Sequence, residues 1–158
     1  MDKARVLLEH FKQHLRLTSN DLDSELTQKL LASVEAAEHH IGKTIVPSLL
    51  VDARKFSSKL VLRAPVMGVE SVRIDGEELS SDDYELDGQV LALKTAGNKV
   101  EVTYRSGYAC IPADMMAAIM LHAASLYNNP LDRVEALPKA SDALLRPYRS
   151  WGVVNDGE

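Results

Sequence analysis

His10 and His14 stand four residues apart in a stretch whose apolar residues recur at helical spacing. Two imidazoles at this spacing share one helix face and can bind a metal ion together. No third ligand of a suitable kind is evident nearby, although Glu9 is adjacent. We therefore interpret both as surface histidines on a solvated face and predict no metal site. His39 and His40 close the second predicted helix, where the helix dipole favours cations.

Cys110 is the only cysteine, so the chain cannot form an intramolecular disulfide, which fits a reducing compartment. Nothing beside it in sequence suggests a nucleophile, and we expect a small buried side chain next to the helix that follows. The sequence contains no Gly-rich phosphate loop, no HExxH and no GxSxG motif. We therefore predict no catalytic residue and no cofactor. Among the possible functions, an enzyme is the third hypothesis, after a structural protein and a DNA-binding module.

The segment 112–127, PADMMAAIMLHAASLY, is the helix around which the other elements must be arranged. Pro112 suits a first helical turn, and Asp114 meets the positive end of the helix dipole. An Asn-Asn-Pro sequence then ends the helix. Between these signals nearly every residue is apolar, which indicates burial on several sides. We expect this central helix to be core, at Ile119 and Leu121 alike.

Helical periodicity elsewhere predicts three further helices, over about 2–15, 21–41 and 138–146. Between the second helix and the central helix, residues 49–104 change to short apolar runs typical of strands. We predict an α+β fold, a mostly helical subunit of about four helices with a small antiparallel β region inserted between helices two and three. Residues 1–158 are expected to form a single domain.

Glycines mark several of the expected boundaries. Asp75-Gly76 and Asp87-Gly88 carry the residue types of tight turns, and the second pair lies between two short apolar runs, which predicts a hairpin. Gly42 likewise marks the end of the second helix. Six strand candidates follow from the apolar runs, over residues 49–51, 60–62, 69–74, 84–86, 90–93 and 100–104.

Net charge limits the partners that the chain can bind through simple electrostatics. The 158 residues carry a formal net charge of -5, which argues against general attraction to nucleic acid. Only the first helix has a basic side, from Lys3, Arg5, Lys12 and Arg16. That side supports the alternative function, a small DNA-binding or DNA-packaging regulatory module. No apolar run approaches the roughly 20 residues needed to span a bilayer, so no membrane partner is expected.

The acidic stretch, residues 70–87, contains eight carboxylates and one cation, Arg73. These residues form either solvated hairpin edges that resist edge-to-edge aggregation, or a surface that repels DNA or meets a basic partner. The candidate interface residues of this stretch are Glu77, Glu78, Asp82 and Asp83.

The C-terminal segment, residues 144–151, combines two leucines with residue types that are enriched at interface hot spots. It is either an interface anchor or a piece of chain that folds back on the core. As an anchor, its leucines would hold it in place and Pro147 would redirect the chain. The candidate interface residues of this segment are Leu144, Leu145, Tyr148, Arg149 and Trp151.

The same segment, LLRPYRSW, resembles the LLxPYRxW ending of bacteriophage head–tail connector, or adaptor, proteins. Residues 11–17, FKQHLRL, resemble the short first helix of that family, and residues 21–42 resemble its second helix with a final glycine. Residues 100–112 resemble the family's VxVxYxxGY approach to the central helix. The order and spacing of these pieces cover nearly the whole chain.

The resemblance implies a non-enzymatic structural protein of the virion neck, assembled in the host cytoplasm. Family members form a homo-oligomeric ring, twelvefold in the virion, beneath the portal protein. The ring extends the DNA channel, lets the genome pass without sequence-specific binding, and is the platform for a head–tail stopper or the next tail-proximal neck protein. A ring is a head-to-tail assembly, so each subunit needs two different faces.

Overall fold

The computed structural model describes residues 3–129 and 137–150, with side chains from residue 7 onward. The chain divides into two compact units. The helical unit is drawn from residues up to Gly42 and from Ile111 onward, and the β unit is Lys43–Cys110. The expectation that residues 1–158 act as one connector domain stays a prediction.

Four α-helices lie in the described part of the helical unit, and antiparallel strands lie between the second and third of them in the chain, which confirms the predicted α+β fold. The helices are α1 (Lys3–Leu15), α2 (Asp23–Ile41), α3 (Ala113–Asn128) and α4 (Lys139–Leu145). A single 3-10 turn, Arg146–Tyr148, follows α4 directly. α3 packs against α2 and α4, while α1 packs mainly against α2.

The central helix α3 is core along one side only. Ile119 is fully buried, as predicted, and Met115 and Ala123 are buried with it. The prediction is wrong for Leu121, which is 37% exposed. Residues two positions apart point about 200° apart around a helix, so Leu121 turns outward when Ile119 turns inward. An exposed face thus runs along a helix that is apolar nearly all round.

α2 buries a row of residues spaced three or four apart, as an amphipathic helix should. The row ends at Ile41, and Gly42 follows in the left-handed conformation with φ 69°. The Gly42 N–H donates to the carbonyl of Glu38 at 2.9 Å, so the predicted helix stop is confirmed. The buried residues of α2 are Leu26, Leu30, Ser33, Val34, Ala37 and Ile41.

Seven strands make two antiparallel sheets in the β unit. The first sheet has the strand order β1-β7-β3-β4 and the second has the order β2-β6-β5. The strands are β1 (Ser48–Lys55), β2 (Lys59–Val61), β3 (Val66–Ile74), β4 (Glu77–Glu78), β5 (Tyr84–Asp87), β6 (Val90–Leu93) and β7 (Lys99–Ser106).

Both sheets contribute to one hydrophobic core. Alternate residues of the central strand β7 point into it, at Val100, Val102 and Tyr104. The Tyr104 hydroxyl accepts a hydrogen bond from the backbone N–H of Arg63 at 3.1 Å, so its buried polar end is paired. The other fully or nearly buried members of this core are Leu60, Leu62, Val72, Ile74, Leu91 and Leu93.

The two Asp-Gly pairs both make hairpins. Asp75 and Gly76 have positive φ values of 51° and 94°, the conformation of a type I′ turn between β3 and β4. In the second hairpin Asp87 pairs with Val90. The two-residue loop is therefore Gly88-Gln89, one residue later than the Asp87-Gly88 pair that predicted it.

The Asp75 side chain also holds the chain that leads into β7. Its carboxylate accepts hydrogen bonds from the backbone N–H groups of Asn98 at 3.0 Å and Lys99 at 2.9 Å. These bonds hold the pKa of the Asp75 carboxyl below its usual range.

Cys110 corrects an expectation, because its side chain is exposed and not buried. It lies in the irregular segment between β7 and α3, and such connecting segments usually run over the surface. None of the helices in the described part of the chain combines the length and apolar character that crossing a bilayer requires.

Candidate assembly surfaces

The C-terminal segment begins in the last two residues of α4, and α4 is fixed to α3. The buried Ser141 hydroxyl donates to the carbonyl of Ala118 on α3 at 3.0 Å. Leu145 is fully buried, whereas Leu144 is half-buried. Leu145 therefore holds the segment and offers no surface to a partner.

The end of the segment is tied down by its polar groups. The Tyr148 hydroxyl lies 3.2 Å from a carboxylate oxygen of Asp114 on α3. The N–H and hydroxyl of Ser150 both donate to the carbonyl of Ile41, at 2.9 and 3.0 Å. Through Ser150 the segment folds back on the core, and Arg149 is exposed along the way. The fifth candidate of this segment, at position 151, lies outside the described residues.

Gly42 and Ser150 are in close contact where α2 ends. A Cβ atom added to Gly42 would lie 2.5 Å from the Ser150 Oγ. Glycine at position 42 is therefore required twice, by its left-handed backbone and by the close approach of the C-terminal segment.

A shallow groove of about 580 Å³ lies between α1 and α3 on the helical unit. Its α3 wall is apolar and includes the outward-turned Leu121. The α1 wall carries His10 and His14, which are exposed as predicted. Among the described residues no group of three His, Cys, Asp or Glu side chains is placed to hold a metal ion.

Lys12 changes the interpretation of the basic side of α1. It is only 5% exposed, and its ammonium group lies 2.8 Å from a carboxylate oxygen of Asp23 at the start of α2. Asn20 accepts a second hydrogen bond from the same ammonium group. Lys12 therefore stabilises the packing of α1 on α2 and cannot reach a DNA phosphate.

The candidate carboxylates of the acidic stretch lie on β4 and on the 3-10 turn Ser81–Asp83 that follows it. Glu77, Glu78 and Asp82 are exposed, and Asp83 is half-buried. Glu78 has a cation nearby, because Arg73 on the neighbouring strand lies 3.9 Å away. The structure brings these carboxylates together on one edge of the β unit.

Two ion pairs lie on the outer face of the first sheet, where β3 and β7 meet. Arg73 lies 3.5 Å from Glu101, and Arg105 lies 2.6 Å from Glu70. A polar depression of about 470 Å³ on this face mixes three carboxylates with two cations, so its charges largely satisfy one another. Its lining residues are Arg73, Asp75, Gly76, Glu78, Lys99 and Glu101.

Exposed aliphatic residues on two strands of the β unit were missed from the sequence. Leu49 and Val51 on β1 are 56% and 63% exposed, and Val61 on β2 is 41% exposed. The signal was available in the run Leu49-Leu50-Val51, because a strand must turn alternate residues of a continuous apolar run to opposite faces.

No protein-family model matches this sequence, and no curated protein matches it. Solved structures do match. A chain from the neck of an empty gene transfer agent particle with C6 symmetry has a TM-score of 0.77 at 22% identity, over 94% of this chain and 91% of that one.

Two further structures agree with the first. A chain from the neck of the native particle with C12 symmetry has a TM-score of 0.79 at 21% identity, over 97% of this chain and 93% of that one. A chain from the virion of the native gene transfer agent has a TM-score of 0.72 at 22% identity, over 94% and 91%. The resemblance noted in the sequence is thus confirmed at the level of fold: this chain shares its fold with a chain of a gene transfer agent neck.

Proposed function

We propose that this protein is a structural subunit of the neck of a phage-like particle and forms a ring there. The observation that carries the proposal is the agreement of fold over 97% of the chain with a subunit of a C12-symmetric neck. A likeness that covers both the helical and the β unit favours a shared place in an assembly more than a shared small motif would.

Within the neck, the ring sits beneath the portal, extends the DNA channel and receives the head–tail stopper or next tail-proximal protein. Support for this position comes from the connector-like ending LLRPYRSW and from the net charge of -5. The exposed carboxylates of the acidic stretch suit a protein past which DNA must slide without sticking, because like charges repel.

The portal contact is assigned to the end of the C-terminal segment. Arg149 is exposed and Tyr148 is half-buried, so both side chains have accessible surface with which to contact the portal. Trp151, which follows them in sequence, is the third residue assigned to this contact. Loss of a buried aromatic or Arg anchor from such a contact costs about 2 kcal/mol or more per interface. The cost is repeated at each subunit of a ring.

The test is electron microscopy of the full chain mixed with the portal protein of the same particle. We expect rings stacked coaxially on the portal, and Arg149→Ala should weaken them while leaving the melting temperature unchanged. His39→Ala, also at an exposed site, is the matched control. If the protein instead stays monomeric, does not bind the portal, and binds DNA with a steep salt dependence, its function is that of the regulatory DNA-binding module.

A further inference from the structure

Four strands of the β unit are sheet edges, and they lie in two pairs. β1 and β4 are the edges of the first sheet, while β2 and β5 are the edges of the second. Arg54 on β1 donates to the carbonyl of Val61 on β2 at 3.2 Å, which joins those two edges. β4 and β5 are joined by the short link that contains the turn Ser81–Asp83. The unit therefore has a β1–β2 side and, across both sheets, a β4–β5 side.

The β1–β2 side is apolar and basic. Its strands carry three exposed aliphatic residues, Leu49 and Val51 on β1 and Val61 on β2. Lys55 on β1 and Lys59 on β2 are exposed as well. Within the described residues neither ammonium group has an ion-pair partner, so both cations are free to meet an anionic surface.

The β4–β5 side is acidic. Residues 77–87 contain six carboxylates and no Lys or Arg. Two cations from outside this stretch reach it, Arg73 beside Glu78 and Lys94 at the Asp82 carbonyl, so carboxylates remain in excess. Glu77 on β4 and Glu85 on β5 are exposed, and within the described residues neither forms an ion pair. Leu86 on β5 is also partly exposed and adds an apolar contact to the acidic edge.

We propose that the β1–β2 side of one subunit docks against the β4–β5 side of a second copy, and that this contact closes the ring. The proposal rests on the proposed ring function and adds the two faces that meet. Long edge strands with exposed aliphatic residues invite pairing unless they are covered, and a neighbouring subunit would cover β1. The opposite charges of the two sides set the register and direction of the contact.

The charge arrangement selects a head-to-tail contact between copies. Two β1–β2 sides would bring cations against cations, and two β4–β5 sides would bring carboxylates against carboxylates, so a two-fold dimer is disfavoured. DNA is a poor occupant of the β1–β2 side, because phosphates would pair with two lysines and leave Leu49 and Val51 exposed to water.

Two variants of the full chain test this contact, each changing one exposed, unpaired charge on each of two edge strands. The first, Lys55→Glu with Lys59→Glu, is acidic on both sides. The second, Glu77→Lys with Glu85→Lys, lowers the charge of residues 77–87 from -6 to -2 and places a lysine on each of β4 and β5, to meet Lys55 and Lys59. Ring formation is measured by mass photometry and electron microscopy, with and without the portal protein, at low and high salt.

Neither variant should assemble by itself, with an apparent affinity between subunits at least about tenfold weaker than in the wild type. An equal mixture should form rings in which the two variants alternate, because positions 55 and 59 of one subunit then always meet charges of opposite sign at positions 77 and 85 of the next. The chain with all four substitutions should also assemble with itself. High salt should reduce these differences, since it screens exposed charges.

Two results would overturn the proposal. One is ring formation by either variant alone at wild-type strength, which shows that the two sides do not meet while the ring function stands. The other is a mixture that stays dissociated although both variants keep wild-type circular dichroism and melting. If the wild-type chain forms no ring even with the portal, the ring function and this contact fail together. Lys29→Glu with Lys139→Glu is the control, since both residues lie on helices, α2 and α4, and not on the four edge strands.

Discussion

The buried polar residues of the helical unit differ from the edge-strand charges of the β unit in whether they have partners inside the fold. In the helical unit Lys12, Ser141 and His122 are buried, and the first two pair with groups on neighbouring helices. In the β unit Lys55 and Glu77 stand exposed on edge strands. Buried charges must be paired inside the fold, whereas exposed unpaired charges remain available to partners. The buried pairs of the helical unit therefore stabilise its helix packing, whereas the edge-strand charges of the β unit are left for recognition.

The largest effect is expected from a charge placed in the core of α3. Ile119→Asp should lower the free energy of unfolding by about 4 kcal/mol or more and abolish soluble expression, because the buried carboxylate finds no partner. Leu121→Asp, on the exposed face of the same helix, should cost about 1 kcal/mol or less. Urea unfolding of both variants measures the difference. Equal losses at the two positions would show that α3 is enclosed on every side.

The next effect concerns the buried cation of α1. Asp23→Ala should destabilise the protein by about 2 kcal/mol, since the buried Lys12 ammonium group would keep only Asn20 as a partner. Lys12→Met removes the buried charge itself and should cost less. Thermal melting at pH 7 ranks the two. A larger loss for Lys12→Met would mean that the ion pair is a net source of stability.

Truncation separates folding from portal binding in the C-terminal segment. Removing residues after Pro147 deletes the Tyr148 and Ser150 hydrogen bonds and should cost about 1 kcal/mol for each bond lost. Removing residues after Ser150 keeps all three bonds, so melting should stay unchanged while portal binding falls. A stability loss from the shorter deletion, without a binding defect, would mean that Trp151 belongs to the fold and not to an interface.

A pH effect should come from His122, whose burial lowers its pKa. Below about pH 6.5 the His122 imidazole binds a proton more readily in the unfolded chain than in the folded chain. The free energy of unfolding therefore decreases as pH falls through this range. His122→Leu should flatten the change in melting temperature between pH 8 and pH 5. Replacing the exposed His39 by Leu should leave that change as it is in the wild type, and an equal response from both would exclude His122 as its source.

The smallest effect on stability should come from the acidic stretch. Changing Glu77, Glu78, Asp82 and Asp83 to Lys should keep the free energy of unfolding within about 0.5 kcal/mol of the wild type, because these side chains lie mostly at the surface. Ring formation or genome delivery should nevertheless be impaired. Unfolding of this variant would contradict the separation of roles between the two units, and normal assembly with normal delivery would leave these carboxylates only a solubility role.

Local chemistry made the helices and hairpins predictable. Gly42 and Asp75-Gly76 act through the backbone of their own neighbours, so their roles are visible in a few consecutive residues. Leu121 was assigned wrongly because a helix of alanine, methionine and leucine looks alike on every side. Only the positions of α2 and α4 decide which side is buried.

Contacts between distant residues could not be predicted in the same way. Lys12 looks like any surface cation until α2 brings Asp23 to it. The acidic stretch is continuous in sequence and was found, but its basic counterpart was missed. Lys55 and Lys59 become opposite to it only through the strand orders β1-β7-β3-β4 and β2-β6-β5, which join strands far apart in the chain.

The helical unit is interrupted in sequence by the β unit, and this has a consequence for biosynthesis. Lys43–Cys110 is complete before α3 and α4 have been translated, whereas α2 lacks its main packing partner, α3, until then. Domains generally fold as units while the chain emerges from the ribosome. We expect nascent chains arrested just after Cys110 has left the exit tunnel to protect residues 43–110 from protease while α1 and α2 are still cleaved. The hydrogen bonds from Ser150 to the Ile41 carbonyl at the end of α2 can form only after 109 further residues have been translated.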